Sequence, residues 1–156
     1  MSGHVVAPPA FELDTSQSGL ELARKWIATR TPGGFVDRIA ARPIEVDRGF
    51  MRMVCDIDAG HSNFVGLVHG GLSSALVDLV CGGAAMTLLQ PGQFLLSTDL
   101  HMRFLNGAPI SCQHLYAEGR ASFSDDRKVV SEARISLEDR TVVALGTALI
   151  AIRSRG

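Results

Sequence analysis

Two adjacent glycines and one aspartate are the residues of this sequence whose types and spacing could do chemistry. Residues 63–71 read NFVGLVHGG, and Asp78 follows inside an apolar segment. Unpaired amide N–H groups at the start of a helix, aided by the helix dipole, can hold an oxygen atom on which negative charge develops. Gly70 and Gly71 could supply such groups. A sharp turn or a close backbone approach would also explain both glycines.

Asp78 lies in the middle of the apolar run LVDLV at residues 76–80. A carboxylate in such a helix is destabilising unless it is paired or in contact with water. The helical repeat places small side chains around Asp78 and directs the neighbouring leucines elsewhere. Those small residues are Ser74, Ala75, Cys81, Gly82 and Ala85. The pattern predicts room for a ligand beside a general base, although a carboxylate bonded to a backbone group or a hydroxyl, within a close helix contact, would look the same.

The spacing of Gly70 and Asp78 predicts how many chains form the site. Eight residues along one helix separate their backbones by about 12 Å. Contacts of about 3 Å are required if both groups act on one carbonyl carbon. The aspartate must then come from a second copy of the helix that lies antiparallel to the first. The sequence therefore predicts a homodimer with two shared sites.

Periodicity and chain breakers predict the elements that position these residues. The predicted helices are a short one, capped by Thr15 and ending at the TPGG of residues 31–34, and a long one over residues 70–89. Six β-prone runs accompany them, at residues 35–46, 50–57, 94–105, 113–123, 129–137 and 141–153. This order predicts an α+β domain over residues 15–156, in which an antiparallel six-stranded sheet wraps around the long helix. Residues 1–14 are predicted to be a flexible lead-in.

Composition and charge exclude several classes of function. The 156 residues are 46% hydrophobic and 20% charged, which is typical of one globular domain. A net charge of −1 gives no general attraction to nucleic acid, so no such partner is expected. No segment resembles a leader peptide or a membrane span, so we expect a cytoplasmic protein with no membrane partner. Three cysteines and five histidines lack the spacing of disulfides or metal ligands, and no metal is expected.

The arrangement of Asn63, Gly66, the HGG triplet at residues 69–71 and Asp78 resembles that of the PaaI-like hotdog thioesterases. These form the phenylacetic-acid-degradation branch of the 4-hydroxybenzoyl-CoA thioesterase superfamily. The resemblance extends more weakly over residues 35–152. It implies a hotdog fold, in which the sheet is the bun and the long helix the sausage. It also implies hydrolysis of an acyl-CoA or aryl-acyl-CoA thioester, with coenzyme A as part of the substrate and no separate cofactor.

The resemblance implies a role for each residue of the motif. The Gly70 N–H would polarise the thioester carbonyl, and Asp78 of the partner subunit would act as general base or as nucleophile. Asn63 would orient the water or the aspartate, whereas His69 would mainly shape the turn. Ser97 falls where related enzymes carry a hydroxyl that positions the water, although the adjacent threonine could take that role.

Substrate-binding residues are predicted around the same motif. Gly71 belongs to the HGG element, and Phe64, Met102 and Phe104 would suit an apolar or aromatic acyl group. Coenzyme A carries phosphates, which cationic side chains bind through charge-assisted hydrogen bonds. The candidates are Arg103, Arg120, Arg127 and Lys128, each of which could equally be solvated surface charge.

Two other functions remain open from the sequence. An acyl-CoA dehydratase or hydratase would need a catalytic histidine near a carboxylate, for which His61 is a candidate. The dehydratase signature His-Phe-Pro-Gly is absent, since residues 61–64 read HSNF. A non-catalytic acyl-CoA binding or regulatory module would keep the pocket but would not need Asp78. The chain is expected to form a homodimer or a dimer of dimers.

Overall fold

Six antiparallel strands form one sheet in the computed structural model, which describes residues 10–30 and 33–155. The strands are β1 (Ala41–Asp47), β2 (Phe50–Asp56), β3 (Gln93–Phe104), β4 (His114–Ser124), β5 (Lys128–Ser136) and β6 (Val142–Ser154). Their order across the sheet is β1-β2-β4-β5-β6-β3. The predicted α+β fold, with its single six-stranded sheet, is confirmed.

One long helix packs against the inner face of this sheet. It is α3, Gly70–Met86, and it contacts all six strands. Its residues Leu76 and Val80 are completely buried. A Cβ at Gly119 of β4 would overlap the backbone of Val80, so this glycine lets the helix approach the sheet closely. Within the described part of the chain, no helix is long and apolar enough to cross a membrane.

A short amphipathic helix, α1 (Gly19–Ile27), packs against the C-terminal end of α3. Its N-cap is Ser18 rather than the predicted Thr15, because Ser18 and Glu21 form a reciprocal capping box. The Gly19 N–H donates to the Leu89 carbonyl oxygen at 3.0 Å, which fixes the start of α1 beside the end of α3. Residues 1–9 of the predicted lead-in and residues 31–32 of the predicted breaker lie outside the described residues.

The predicted strand over residues 35–46 begins too early. The chain forms a single helical turn, α2 (Gly34–Arg38), and β1 starts only at residue 41. Gly33 and Gly34 both have positive φ, at 85° and 84°, and redirect the chain before Phe35. The Ile39 N–H then bonds the Phe35 carbonyl oxygen at 3.1 Å. Phe35 stays exposed, so its hydrophobicity does not indicate a buried strand.

Strand β3 lies at one edge of the sheet and exposes apolar side chains. It has twelve residues and pairs along its length with β6. The register shifts between Ser97 and Asp99, as in a β-bulge. Large apolar side chains of β3 remain exposed, namely Leu96, Leu100 and Phe104. A long unpaired edge with apolar side chains is a ready template for another strand.

Candidate active site

A hydrogen bond joins the two predicted site residues that come from α3 and β3. Ser97 Oγ donates to Asp78 Oδ1 at 2.6 Å. Asp78 is half-buried on α3, and Ser97 is exposed on the strand that runs back along the helix. The bulge directly after Ser97 changes the alternation of β3 at this point. A short hydroxyl-to-carboxylate contact satisfies one carboxylate oxygen and leaves the other free to act.

The Asp78–Ser97 pair lies at the wall of a largely apolar cavity of about 330 Å³ between α1, α3 and β3. A volume of this size is within the range of small-molecule sites, which are mostly apolar with a few polar groups. Apolar side chains from all three elements line it, including Leu22, Trp26, Leu79, Met86 and Leu95. The cavity therefore combines an apolar interior with one carboxylate.

The start of α3 presents backbone amides with different partners. His69 is the N-cap residue, and its Nδ1 accepts the Gly71 N–H at 2.8 Å. This contact satisfies Gly71 locally and holds the turn in shape. The Gly70 N–H bonds no acceptor among the described residues of its own chain. As the first residue of the helix, Gly70 can direct its N–H to a ligand.

One chain does not bring Gly70 and Asp78 together. Both residues belong to α3, which is continuous from Gly70 to Met86. Eight residues at the helical rise separate their backbones by about 12 Å. The carboxylate and the free amide therefore cannot act on one atom within a single subunit.

Asn63 stabilises the loop that leads into α3. Its Oδ1 accepts the N–H groups of Val65 and Leu67, each at 3.0 Å. The side-chain carbonyl is thus committed to the loop, and the amide NH2 is the part left for a substrate or water. Phe64, next to it, is fully exposed. Neither residue lines the cavity beside Asp78.

The other predicted apolar contacts also lie away from this cavity. The Phe104 ring covers Gly70, where an added Cβ would be 3.1 Å from its Cε1 atom. Met102 is half-buried, and its Sδ lies beside the position that a Cβ on Gly146 would take. Sequence reasoning selected these residues for their type but did not assign the apolar face of the amphipathic helix α1 to the site. The spacing of Leu22 and Trp26 on that helix was the available signal.

The candidate phosphate-binding residues occupy different parts of the sheet. Lys128 pairs in register with Ala151 of β6, which in turn pairs with Leu96, the neighbour of Ser97. Arg127 precedes Lys128 in the turn before β5.

Arg120 stacks over the Phe50 ring, with its Cζ 4.7 Å from the ring centroid. The neighbours of Arg103 in β3, Met102 and Phe104, both face the long helix. Strand alternation therefore directs the Arg103 side chain to the opposite face of the sheet. Arg103, Arg120, Arg127 and Lys128 therefore do not form one cluster.

His61 is held in a local turn. Its Nδ1 accepts the Asp58 N–H at 3.1 Å, within the capping box of the 3-10 turn Ala59–His61. The carboxylate of Asp58 lies 3.4 Å from the same nitrogen. One ring nitrogen is thus already used for capping, which limits His61 as a proton acceptor for a substrate.

The cysteine thiols near the core are not reactive nucleophiles. Burial raises the pKa of Cys81 to about 12, and the charge of Asp78 acts in the same direction. Burial likewise raises the pKa of Cys55 to about 12. Both thiols are therefore protonated near neutral pH, where a thiolate would be required. Among residues 10–30 and 33–155, no group of three or more His, Cys, Asp or Glu side chains could hold a metal ion.

The family model described as the thioesterase superfamily matches residues 65–144, just over half of the chain. The chain therefore belongs to the thioesterase superfamily and is a thioester hydrolase. Its matched segment contains Gly70, Gly71, Asp78 and Ser97. The family predicted from the motif is confirmed. No protein of curated function matches the chain in sequence.

Solved structures share the fold at low sequence identity. A thioesterase family protein from Silicibacter pomeroyi is 21% identical with a TM-score of 0.75, over 85% of this chain and 96% of its own. A phenylacetic acid degradation-related protein from Ralstonia eutropha is 20% identical with a TM-score of 0.74, over 86% of this chain and 99% of its own. The E. coli PaaI protein from the phenylacetic acid degradation operon is 18% identical with a TM-score of 0.68, over 78% and 83%. These likenesses confirm the hotdog fold.

Proposed function

We propose that the protein hydrolyses acyl-CoA thioesters, with Asp78 as the catalytic carboxylate. The observation that carries this proposal is the 2.6 Å contact of Ser97 Oγ with Asp78 Oδ1 at the wall of an apolar cavity. A carboxylate with one oxygen oriented by a hydroxyl is held in a fixed geometry for proton transfer or attack. An apolar cavity beside it suits the hydrocarbon part of a thioester.

The reaction needs a base, an oxyanion donor and a leaving thiolate. As general base, Asp78 takes a proton from water, and the resulting hydroxide attacks the thioester carbonyl carbon. The carbonyl oxygen becomes negative and accepts the Gly70 N–H of a second copy. The carbon–sulfur bond then breaks, and coenzyme A leaves as a thiolate that takes up a proton. As a nucleophile, Asp78 would instead form an acyl anhydride that water hydrolyses.

A two-fold dimer would complete this site. The exposed edge of β3 could pair antiparallel with the same strand of a second copy, which would cover Leu96 and Leu100. Two-fold symmetry would then place the two α3 helices side by side in opposite directions. The start of one helix would approach the middle of the other, which is the arrangement that Gly70 and Asp78 require. The exposed Phe64 would also lie near a second subunit or the substrate.

Lys128 and Arg127 are proposed to bind phosphate groups of coenzyme A. Lys128 is two strands away from Leu96 in register, about 10 Å at the usual strand spacing, and strand alternation places both on the face opposite to Ser97. A long, flexible ligand whose thioester lies at Ser97 would reach Lys128 around the end of the sheet, where Arg127 lies in the turn before β5. Arg103 is a further candidate from the opposite end of β3.

The test is turnover by Asp78→Asn. This change keeps the shape of the side chain and removes its charge, so kcat should fall by about 100-fold or more. Release of free thiol would be followed with a panel of acyl-CoAs from acetyl to hexadecanoyl. Asp126→Asn is the matched control, because Asp126 is an exposed carboxylate in the turn between β4 and β5. Near-normal kcat in Asp78→Asn would refute the role of Asp78. No thiol release from any substrate by the unmodified protein would instead indicate a binding module.

A further inference from the structure

The cavity beside Asp78 runs along α3 toward the C-terminal end of that helix. Asp78, Gly82 and Met86 are spaced by one helical turn each, and all three line it. Ser97, Leu95 and Gln93 of β3 line the opposite side in the reverse order, because β3 runs back along the helix. The catalytic pair is therefore at one end of an apolar channel. The helical rise gives the channel a length of about 12 Å.

Helix α1 forms the outer wall of this channel. Leu22 and Trp26 line it, and so does Gly19, whose N–H is bonded to Leu89. A Cβ on Gly19 would overlap the Met86 carbonyl group, so α1 is in backbone contact with the end of α3. The Phe11 ring packs against Trp26 with a centroid distance of 5.9 Å. The wall is thus fixed in position by packing on both sides.

The character of the lining changes with distance from Asp78. Leu79, Gly82 and Leu95 surround the near part, where polar groups other than the catalytic pair are few. Gln90, Gln93 and Arg155 line the part near the end of α3. Moving a methylene group from water into apolar surroundings lowers its free energy, whereas moving it against charged or amide groups does not. Longer hydrocarbons should therefore bind more tightly only up to the length at which they reach the glutamines and the arginine.

We propose that this channel receives the hydrocarbon of a straight, uncharged acyl group of about ten carbons, and that α1 sets this preference. The proposal rests on the proposed acyl-CoA hydrolysis. A straight hydrocarbon advances by somewhat less than one C–C bond length, about 1.5 Å, per carbon. The channel length of about 12 Å along the helix therefore takes about ten carbons. The subunit that supplies Asp78 thus also binds the acyl chain, and the second copy supplies the oxyanion donor.

Gly82 allows the channel to be filled without disturbing its wall. An added Cβ at Gly82 would be 3.8 Å from Leu95 Cδ1, an ordinary van der Waals distance. Gly82→Leu therefore projects an isobutyl group into the channel one turn from Asp78. Gly82→Ala is the matched control, because it changes the same glycine and adds only the Cβ.

The first measurement is kcat/KM as a function of acyl length. In the unmodified protein, kcat/KM should rise about four-fold per methylene up to about ten carbons and then level off. In Gly82→Leu, the ratio of kcat/KM for decanoyl-CoA to that for butanoyl-CoA should fall at least tenfold relative to Gly82→Ala. An unchanged ratio would overturn the proposal even if the protein hydrolyses acyl-CoAs.

The second measurement does not depend on turnover. Trp26 is the single tryptophan of the chain, so its fluorescence reports on the channel. Bromine quenches tryptophan on contact, and Trp26 is about 10 Å along α1 from the Gly19 end of the channel, so the bromine is placed in the middle of the chain. The probes are 5-bromodecanoic acid and the non-hydrolysable thioether S-(5-bromodecyl)-coenzyme A. Saturable quenching by either probe, weakened at least tenfold in Gly82→Leu relative to Gly82→Ala, is expected. Unbrominated decanoic acid should reverse it.

The outcomes separate this proposal from the proposed function. Quenching by the acid without hydrolysis of any acyl-CoA would support the channel and contradict the proposal that the protein hydrolyses acyl-CoA thioesters. Hydrolysis of decanoyl-CoA with no quenching by either probe would overturn the channel and leave the assignment in place. Equal quenching in Gly82→Leu and Gly82→Ala would also overturn the channel, since the bromine would then be bound elsewhere.

Discussion

At the scale of single residues, the Asp78–Ser97 pair depends on two side chains that are nineteen positions apart in the chain. Asp78 could be singled out from the sequence because a carboxylate inside an apolar helix needs a compensating contact. Ser97 could not be identified as the compensating group in the same way, because its 2.6 Å hydrogen bond to Asp78 depends on how β3 lies on α3. Resemblance to a family suggested Ser97, while Thr98 was an equal candidate by residue type. Thr98 Oγ1 donates instead to the Leu149 carbonyl oxygen at 3.1 Å.

Gly70→Pro should remove the proposed oxyanion donor while the helix remains intact. Proline is well tolerated at the first helical position, and the preceding His69, with φ −65° and ψ 133°, already has a backbone compatible with a following proline. Loss of one such donor should lower kcat by about 100- to 1,000-fold.

Gly70→Ala is the control for this prediction, because it adds a Cβ beside Phe104 but keeps the N–H. The exposed Phe104 ring can shift, so Gly70→Ala should keep most of its activity. Thermal unfolding of both variants would check that each is folded. A kcat for Gly70→Pro within tenfold of that for Gly70→Ala would show that another group holds the oxyanion.

At the scale of elements, α3 combines one face that packs on the sheet with one face that borders the cavity. Gly82 and Gly83 are adjacent in the chain but lie on different faces. Gly82 borders the cavity, whereas a Cβ on Gly83 would overlap the Sδ atom of the fully buried Met51. The sequence predicted a group of small residues around Asp78 that leaves room for a ligand. Two members of that group, Cys81 and Ala85, are instead buried in the core. Helical periodicity gives the angle of each residue but not what lies opposite it.

The two glycines should therefore respond differently to alanine. Both variants gain the same helix propensity, about 1 kcal/mol over glycine. Gly83→Ala also overpacks the core against Met51, so it should be less stable than Gly82→Ala by about 1–3 kcal/mol. Urea unfolding at one fixed protein concentration measures this difference, because the stability of an oligomer depends on concentration. Equal unfolding free energies would mean that Met51 moves away without strain.

At the scale of the whole molecule, the proposed site belongs to two chains. Each chain contains a carboxylate at the wall of a cavity and, about 12 Å away on the same helix, a free amide. The Gly70 amide of each chain would act on the same thioester as the Asp78 carboxylate of the other chain. The unpaired edge of β3 and its exposed Leu100 offer the surface through which the chains would meet. Activity should then depend on assembly even though every described contact of Asp78 is within one subunit.

Mixing two inactive variants should restore activity. Asp78→Asn and Gly70→Pro, refolded together in equal amounts, should give about half heterodimers, each with one intact site and one doubly altered site. Turnover should recover to about a quarter of that of the unmodified protein. Free-thiol release before and after joint refolding measures it.

Separate refolding of each variant is the control for this experiment, and light scattering would give the mass of the mixed species. If Gly70 and Asp78 acted within one chain, every site in the mixture would carry one defect. The mixture would then stay as inactive as its components, and the proposal of a site shared by two chains would be wrong.

The sequence by itself determined the order of the elements and the residue on which the proposed chemistry depends. Alternation, helical repeat and breakers are local properties, so they predicted the six strands and the long helix, with errors where an exposed Phe35 imitated a strand residue. The apolar run around Asp78 made that carboxylate stand out for the same local reason. Only the tertiary structure decided that Ser97 is its partner, that α1 closes a cavity beside it, and that Gly82 faces this cavity while Gly83 faces Met51. These relations join segments that are distant in the chain, and the packing of side chains between elements sets them.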